Sequence, residues 1–483
     1  MENMESTTYK ELLNKMIHGT KNMLILGCAG SGKTFLVKSM MQELERQSKE
    51  GSILLCAPSG IASLNINGCT IQSLFNIKPY TYDIYPTCIG KIRKIKQIRN
   101  ARILLIDEIS MLRCEILDIA DSKLKILTEE FDKPFGGLRL ICIGDLFQME
   151  PVVQEKEYEF MYNIYPDLGI KDYCFFNAHV MKNYDYFNSS FDIYRLDHIF
   201  RQSDRNFIDI LSEVRMGNIS DNSLISLNEK VIDTLDFDEN YQYLCITNDR
   251  AEMINKRFIE RLDGTLYYSK PEYLYGDSFL YSYIKNCQCP INKVLVMKIG
   301  MKVMFVINDR EKGPFSRYVN GSIGYIEDIN TDLVTNEVLS VLVNINGCNH
   351  LIEKSNYSVF DKINNEMQEV GQVRNFPFTP SYAITIDKSQ GLTLDKIAII
   401  LARNNIRDNQ IYVALSRARS LDNIIFDRKI KPDDIHISPT MKRFYSSISN
   451  RIVPVIYNKF TMPISIKIKN SLNTHITFNI KSA

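Results

Sequence analysis

The stretch Gly27-Cys-Ala-Gly-Ser-Gly-Lys-Thr34 constrains this chain more than any other part of it. It matches G-x-x-x-x-G-K-[ST], follows the apolar run Met23-Leu-Ile-Leu26 and leads into Phe35-Leu-Val-Lys-Ser-Met-Met41. Strand, glycine loop and helix in that order form the setting in which this motif binds phosphate. The loop turns backbone N–H groups inward, and the helix N-terminus behind it favours negative charge. Gly27, Ala29, Gly30, Ser31 and Gly32 are therefore expected around the phosphates of ATP. Lys33 would reach the β- and γ-phosphates, and the Thr34 hydroxyl would hold Mg²⁺.

A second apolar strand ends in two carboxylates, Arg102-Ile-Leu-Leu-Ile-Asp-Glu-Ile-Ser-Met111. It lies where a phosphate-loop sheet needs a metal partner. Asp107 is read as holding the water shell of Mg²⁺ and Glu108 as polarising the attacking water.

At 483 residues the chain is long for one core, so two to four domains are expected. The net charge of +1 provides no global basic field, so any nucleic-acid binding must come from local grooves. The 11 cysteines are scattered without zinc spacing; Cys287 and Cys289 are the only close pair. They read as reduced thiols of an intracellular protein. The polar, acidic N-terminus disfavours a secretory or transit peptide. No apolar run approaches membrane-spanning length, and no membrane partner is expected.

Apolar strand candidates at 23–26, 53–57, 103–107 and 138–144 alternate with helical patterns, which indicates a parallel α/β sheet. A second alternating region spans about 195–250, with a strand at 243–247, and resumes near 373 with a strand at 396–402. Between them, about 264–372, the chain is rich in Tyr, Val and Ile and punctuated by Gly and Asn, a β-barrel-like insertion. The tail is unusual: residues 442–483 hold seven Lys and Arg and no Asp or Glu, which leaves the rest of the chain net acidic. Within it Ile464-Ser-Ile-Lys-Ile-Lys469 alternates like a strand with one basic face. The tail's cations could extend a DNA track, dock on an acidic patch of the body or recruit a partner. The lysines are read as extending the DNA track, and the isoleucines are expected to pack on a second lobe.

Three further segments have motif texture. Leu138–Pro151 ends a strand in Gly144-Asp145 and carries Gln148, placed to sense a γ-phosphate. Arg201, before a helix, and Arg417, in Gln410-Ile-Tyr-Val-Ala-Leu-Ser-Arg417, are candidate arginine fingers.

The joint order of these motifs resembles the PIF-type (petite integration frequency) DNA helicases, in the RecD-like B branch of superfamily 1, over about residues 19–425. The resemblance rests on the phosphate loop, Ala57-Pro-Ser-Gly-Ile-Ala-Ser through Phe75, Ile-Asp-Glu-Ile-Ser-Met, Met297–Met304 and Val319-Asn-Gly-Ser-Ile-Gly324. It closes with Tyr382-Ala-Ile-Thr-Ile-Asp-Lys-Ser-Gln-Gly391 and Tyr412-Val-Ala-Leu-Ser-Arg417.

The resemblance implies an α/β fold of two RecA-like lobes with parallel sheets, 1–190 and 191–260 plus 374–440. A small wedge is expected near 68–95, an SH3-like barrel at 264–372 and a basic tail at 441–483. It implies an ATP-hydrolysing DNA helicase of 5′→3′ polarity, with ATP and Mg²⁺ as cofactors and single-stranded and forked DNA as partners. It would act as a monomer in its core activity, with replication or recombination proteins as further partners. Lys33, Thr34, Asp107, Glu108, Gln148, Arg201, Gly391 and Arg417 would serve ATP. Ser59, Gly60, Gln72, Ser73, Thr385, Lys388, Ser389 and Gln390 would line the DNA path. Phe75 is open to a base-stacking or a core role. A P-loop ATPase that remodels RNA or nucleoprotein is the alternative. Composition and compact length would suit a viral or mobile-element enzyme, working in the nucleus or cytoplasm of a host. Two positions depart from the family pattern: Tyr9 stands where a Gln usually reads adenine, and Asp387 where a His usually precedes Lys-Ser-Gln-Gly.

Overall fold

Strands that are apolar on both faces need cover on both, which a parallel sheet flanked by helices supplies. The sheet that needs it takes seven strands from the first part of the chain: β1 (Thr7–Thr8), β2 (Asn22–Gly27), β3 (Ile53–Ala57), β4 (Cys69–Thr70), β5 (Ile103–Ile106), β6 (Arg139–Gly144) and β7 (Phe191–Leu196). In β2 and β5 every residue is buried. A computed structural model describes residues 6–86, 92, 95–232, 237–274, 284, 289–309, 316–363, 366–401, 406–457, 468–469 and 475–476.

The second lobe is smaller. Its sheet contains β8 (Gln242–Cys245), β19 (Ala383–Thr385), β20 (Ile397–Ile400) and β21 (Ile424–Phe426), all parallel, in the order β19-β8-β20-β21. Between β8 and β19 the chain leaves to build an antiparallel insertion. It holds β9 (Tyr267–Ser269), β10 (Glu272–Leu274), β11 (Leu295–Met297), β12 (Lys302–Phe305), β13 (Ile323–Thr331), β14 (Val338–Ile345), β15 (Cys348–Glu353), β16 (Ser355–Ile363), β17 (Glu366–Asn375) and β18 (Phe378–Pro380). Five of these form the sheet β15-β14-β13-β12-β18, and three form β10-β17-β16. The insertion and the second lobe share an apolar core in which Tyr382 stacks on Phe258 at 4.6 Å.

The sheets move three expected boundaries. The first lobe does not end at 190, because β7 pairs with β2 along its whole length. The insertion does not end at 372, because β17 runs to Asn375 and β18 pairs with β12. The tail is not a separate unit from 441. The helix Pro439–Ile448 packs into the first lobe, and β22 (Ile452–Ile456) joins its sheet in parallel between β7 and β1.

The physical reason is edge cover. Without β22 the outer side of β7 would present unpaired N–H and C=O groups. Ile452-Val-Pro-Val-Ile456 supplies the β-branched residues that fit a pleated surface. Pro454 has no N–H to give, but only Val455 and Ile456 pair with β1 on the far side. The tail's described apolar residues thus pack on the first lobe, not the second. Two of its cations are also engaged there, Arg443 on Asp172 and Arg451 on the Phe191 carbonyl. Most of Ile464–Lys469, and the side chains of Lys459, Lys467, Lys469 and Lys481, lie outside the described residues.

Of the region expected as a wedge, 68–77 belongs to the body of the first lobe. β4 pairs with β3, and Phe75 is fully buried in the core, which settles its role as packing. Residues 87–91 and 93–94 lie outside the described set. Cys287 does too, and the nine described cysteines are free thiols.

Met441, fully buried on the C-terminal helix, tests the tail's allegiance. Met441→Ala should destabilise the first lobe by roughly 2–5 kcal/mol. The check is a urea titration that follows the two lobes separately; loss confined to the second lobe would contradict the placement.

Candidate functional site

The phosphate loop is shaped by two glycines with positive φ, Gly30 at 81° and Gly32 at 86°. Side chains are disfavoured there for a second reason: a Cβ on Gly30 would lie 2.7 Å from Arg201 Cβ. The helix Lys33–Arg46 starts from Gly32 with no side-chain cap, so its first N–H groups remain available to an anion. Lys33 folds over the loop and donates to the carbonyls of Gly27 and Cys28 at 2.9 and 3.0 Å. Thr34 follows it, half-buried, on the first turn.

Asp107 closes β5, and its carboxylate accepts from the Glu108 N–H at 2.9 Å. Burial, and then the Glu108 charge, push the Asp107 carboxyl up to about 7. Glu108 is held in the left-handed region at φ 50°, and its Oε2 is buried without a partner. Gln148 Oε1 and Ser31 Oγ are likewise buried and unpartnered. Buried polar atoms without partners are costly unless a ligand satisfies them.

The second lobe contributes cations. The motif helix Gln410–Leu415 leads directly into Arg417, which is 2% exposed. Its guanidinium donates to the carbonyls of Val413, Ser389 and Leu392 and to Ser416 Oγ. Burial, and then repulsion from Arg201, lower Arg417 to about 10. Arg201 is lowered as well, by burial that Tyr412 and then Glu108 only partly offset. It lies in the linker after β7, between the lobes, and donates to the Ser416 carbonyl at 2.9 Å. Arg417, buried, and Arg201, half-buried, lie beside the phosphate loop and its uncapped helix start, an arrangement that favours a polyanion there. The residues present therefore fit a nucleoside triphosphate, and Thr34 and Asp107 are the oxygen donors that would hold its Mg²⁺.

Sequence reasoning missed the interaction that joins these parts. Asp145, at the end of β6, accepts from Arg215 Nε and Nη2 at 3.0 and 2.8 Å. Arg215 belongs to the second lobe's helix Arg205–Met216. Tyr412 of the motif helix donates to Asp145 Oδ2 at 2.7 Å and accepts from the Ala29 N–H at 2.9 Å. Burial raises the Asp145 carboxyl, but Arg215 and Lys33 outweigh it and hold the group below the usual range. Asn409, 1% exposed, adds a parallel link by donating to the Gln148 carbonyl at 2.8 Å. Gly144-Asp145 and Tyr412 stood inside recognisable motifs. Arg215 and Asn409 had no sequence signal, because their role depends on which surfaces meet.

The residues expected on DNA fall into two groups. Ser59 caps the helix Gly60–Asn65, its Oγ accepting from the Ala62 N–H at 3.3 Å. Gly60 abuts the insertion: a Cβ there would lie 3.0 Å from Asn308 Oδ1 and 3.3 Å from the Asn320 carbonyl. Gln72 and Ser73 lie on the next helix, Ile71–Phe75, half-buried and exposed. From the second lobe come Thr385 and Gln390, both buried, Ser389, whose hydroxyl donates to the Ile386 carbonyl, and Lys388, which is exposed. Gly391, expected at the nucleotide, abuts the first lobe. Its contacts are with Ile61 and Asn65 of the first lobe.

Both departures from the family pattern have local explanations. Tyr9 is a packing residue that donates to Ser39 Oγ at 3.0 Å and lies 5.4 Å from the Tyr457 ring. Asp387 is ion-paired with Arg407.

Two RecA-like lobes, a phosphate loop in one, and arginines from the linker and the other define a motor ATPase of the helicase type. A family model described as PIF1-like helicase matches residues 2–224, and one described as Helicase matches 302–462. The chain is 33% identical over 433 residues to ATP-dependent DNA helicase Pif1 of Bdellovibrio bacteriovorus, covering 89% of each. It is 29% identical to ATP-dependent DNA helicase PIF1 of Xenopus laevis, covering 91% of this chain and 64% of that longer protein. The structure of Pif1 helicase from Bacteroides in complex with ADP-AlF3 and ssDNA matches with a TM-score of 0.74 at 31% identity, covering 92% and 97%. Unliganded Pif1 from Bacteroides sp gives 0.58 at 30% identity, covering 91% and 96%. This chain belongs to the PIF1-like helicase family.

Two measurements probe the site. Arg215→Ala leaves Asp145 buried without its cation and should cost about 3–5 kcal/mol. Adding Asp145→Asn should recover part of that loss in a double-mutant cycle; simple additivity would show that the pair is not coupled. The raised Asp107 carboxyl must lose its proton to hold Mg²⁺. The Mg²⁺ concentration for half-maximal ATPase should therefore fall as pH rises from 6 to 8, most steeply below about 7. Asp107→Asn should abolish that pH dependence along with most activity.

Proposed function

We propose that this chain is an ATP-dependent DNA helicase that moves 5′→3′ along single-stranded DNA and unwinds duplex ahead of it. The observation that carries the reading is the buried guanidinium of Arg417. It binds the carbonyls of Ser389 and Leu392, so a residue at the ATP cleft is bonded to the loop that carries Thr385, Lys388, Ser389 and Gln390. A change at the nucleotide reaches the DNA candidates through a single side chain.

In this reading Lys33, the loop amides, Arg201 and Arg417 hold the phosphates, and the cations oppose the charge that develops during transfer. Glu108 orients the attacking water, and Gln148 senses the terminal phosphate from the lobe interface. Bound Mg²⁺ would neutralise phosphate charge from its place at Thr34 and Asp107. Arg215, Tyr412 and Asn409 report lobe closure to the phosphate loop through Asp145 and the Gln148 carbonyl. Closing and opening would then alternate the grip of the two lobes on the DNA strand. The greater likeness to the relative in complex with ADP-AlF3 and ssDNA than to the unliganded one supports a closed, strand-gripping arrangement for this chain.

Ser59, Gly60, Gln72 and Ser73 would hold the strand from the first lobe through short hydroxyls and amides, as suits phosphate contacts. Asp387, already paired with Arg407, is assigned no phosphate. ATP and DNA as substrates place the enzyme inside a cell, in the nucleus or cytoplasm of a host if viral. No described helix is long and apolar enough to cross a membrane.

The test uses matched duplexes with a 5′ or a 3′ single-stranded tail. Unwinding should require ATP and the 5′ tail, and ATPase should respond more to single-stranded DNA than to RNA. Equal or greater stimulation by RNA would favour an RNA- or nucleoprotein-remodelling ATPase. Lys33→Ala should abolish hydrolysis while leaving nucleotide-free DNA affinity within about twofold, because Lys33 contacts only the phosphate loop. Joint loss of DNA binding would make Lys33 structural.

A further inference from the structure

The first sheet has a second working edge, opposite the phosphate loop. Thr20 precedes β2, Ser52 precedes β3, Arg102 precedes β5 and Arg139 opens β6, and with Lys49 and Lys96 they border one cavity of about 1050 Å³. Its described lining includes these four cations and His18, and no Asp or Glu. Lys96 and Arg102 have no side-chain partner among the described residues. The carboxylates that reach this edge electrostatically are already engaged, Asp192 by Lys21 and Glu43 by Arg46 and Gln47.

Arg139 forms part of the wall. Its guanidinium donates to the carbonyls of Lys15, Met16 and Lys21 and to no carboxylate. Burial, only partly offset by Asp192, lowers it to about 10. The sequence is concordant: residues 91–102 contain six Lys and Arg, and no acid occurs between Asp83 and Asp107. Four cations around one concavity whose described lining holds no acid are complementary to a phosphate backbone.

Three features narrow the occupant. The tracking-strand candidates Ser59 and Gly60 follow the far end of β3, so a strand length of about 15–20 Å separates them from this cavity. The described lining contains no Phe or Tyr, which favours phosphates over stacked bases. The volume corresponds to a space roughly 10 Å across, too small for a duplex whose major groove alone is about 12 Å wide.

We infer that this cavity holds the backbone of the displaced strand, the one on which the helicase does not track. The inference rests on the helicase reading. At a fork the first lobe would grip the tracking strand at one edge of its sheet and retain the other strand at the opposite edge.

The experiment compares a 5′-tailed duplex with a fork that differs only by a 3′ single-stranded arm. Affinity is measured across a salt series for the parent and for the triple variant Lys49→Gln, Lys96→Gln, Arg102→Gln. ATPase stimulated by single-stranded DNA is measured in parallel. The parent should bind the fork several-fold more tightly and with a steeper salt dependence. The triple variant should bind both DNAs alike, its fork slope of log K against log salt flattened by up to about 2, or about 0.7 for each lost phosphate contact. Its ATPase should remain within about twofold of the parent. Should the triple variant lose ATPase or fold, Lys96→Gln and Arg102→Gln singly should each remove part of the arm's gain. An arm that gives no gain in the parent, or a gain the variants keep, overturns the proposal. Equal weakening on both DNAs also overturns it, by placing the cavity on the tracking path. Absence of ATPase stimulation by DNA in the parent would instead sink the helicase reading itself.

Discussion

The bond between Asp145 and Arg215 joins the two lobes through a charge pair with little access to water. A carboxylate buried at the end of β6 is tolerable only with a cation against it, and that cation comes from the second lobe. Tyr412 uses the remaining carboxylate oxygen and passes the link to the Ala29 amide inside the phosphate loop. Lobe position and loop geometry are thereby held by one hydrogen-bonded cluster. Separating the lobes would expose or orphan every member of it.

The same logic runs outward from the cleft. Among the described residues no carboxylate bonds to Arg417, and backbone carbonyls of its own lobe take up its N–H groups. Two of those carbonyls belong to the loop expected to touch DNA. On the first lobe, Gly60 meets the insertion around Asn320, where a side chain on Gly321 would collide with Ile61. Nucleotide cleft, DNA candidates and insertion are thus in serial contact through small or buried residues, which transmit displacement with little slack.

The first lobe's sheet depends on a segment far away in sequence. β22 returns from the C-terminal region to cover β7, and its helix contributes Phe444, stacked on Phe176 at 3.9 Å. A lobe closed by its own distant terminus keeps the linker between β7 and the helix Arg205–Met216 anchored on the first-lobe side. Arg201, in that linker, is therefore positioned by both lobes at once.

The sequence by itself determined the nucleotide chemistry and the fold class. Local geometry dictates both: a glycine loop between an apolar strand and a helix binds phosphate wherever it occurs, and fully apolar short strands alternating with helices require a covered parallel sheet. The strands that lead to the phosphate loop, to Asp107 and to Asp145 were legible for that reason. Tertiary structure decided what rests on contacts between distant segments. It placed β7 and β22 in the first sheet, bonded the Gly391 carbonyl to Asn65 of the helix Gly60–Asn65, and turned Phe75 into core. It also selected Arg215 and Asn409 from many similar residues. An arginine on an amphipathic helix looks like any solvated arginine until the opposing surface presents a buried carboxylate, and periodicity in one segment says nothing about that surface.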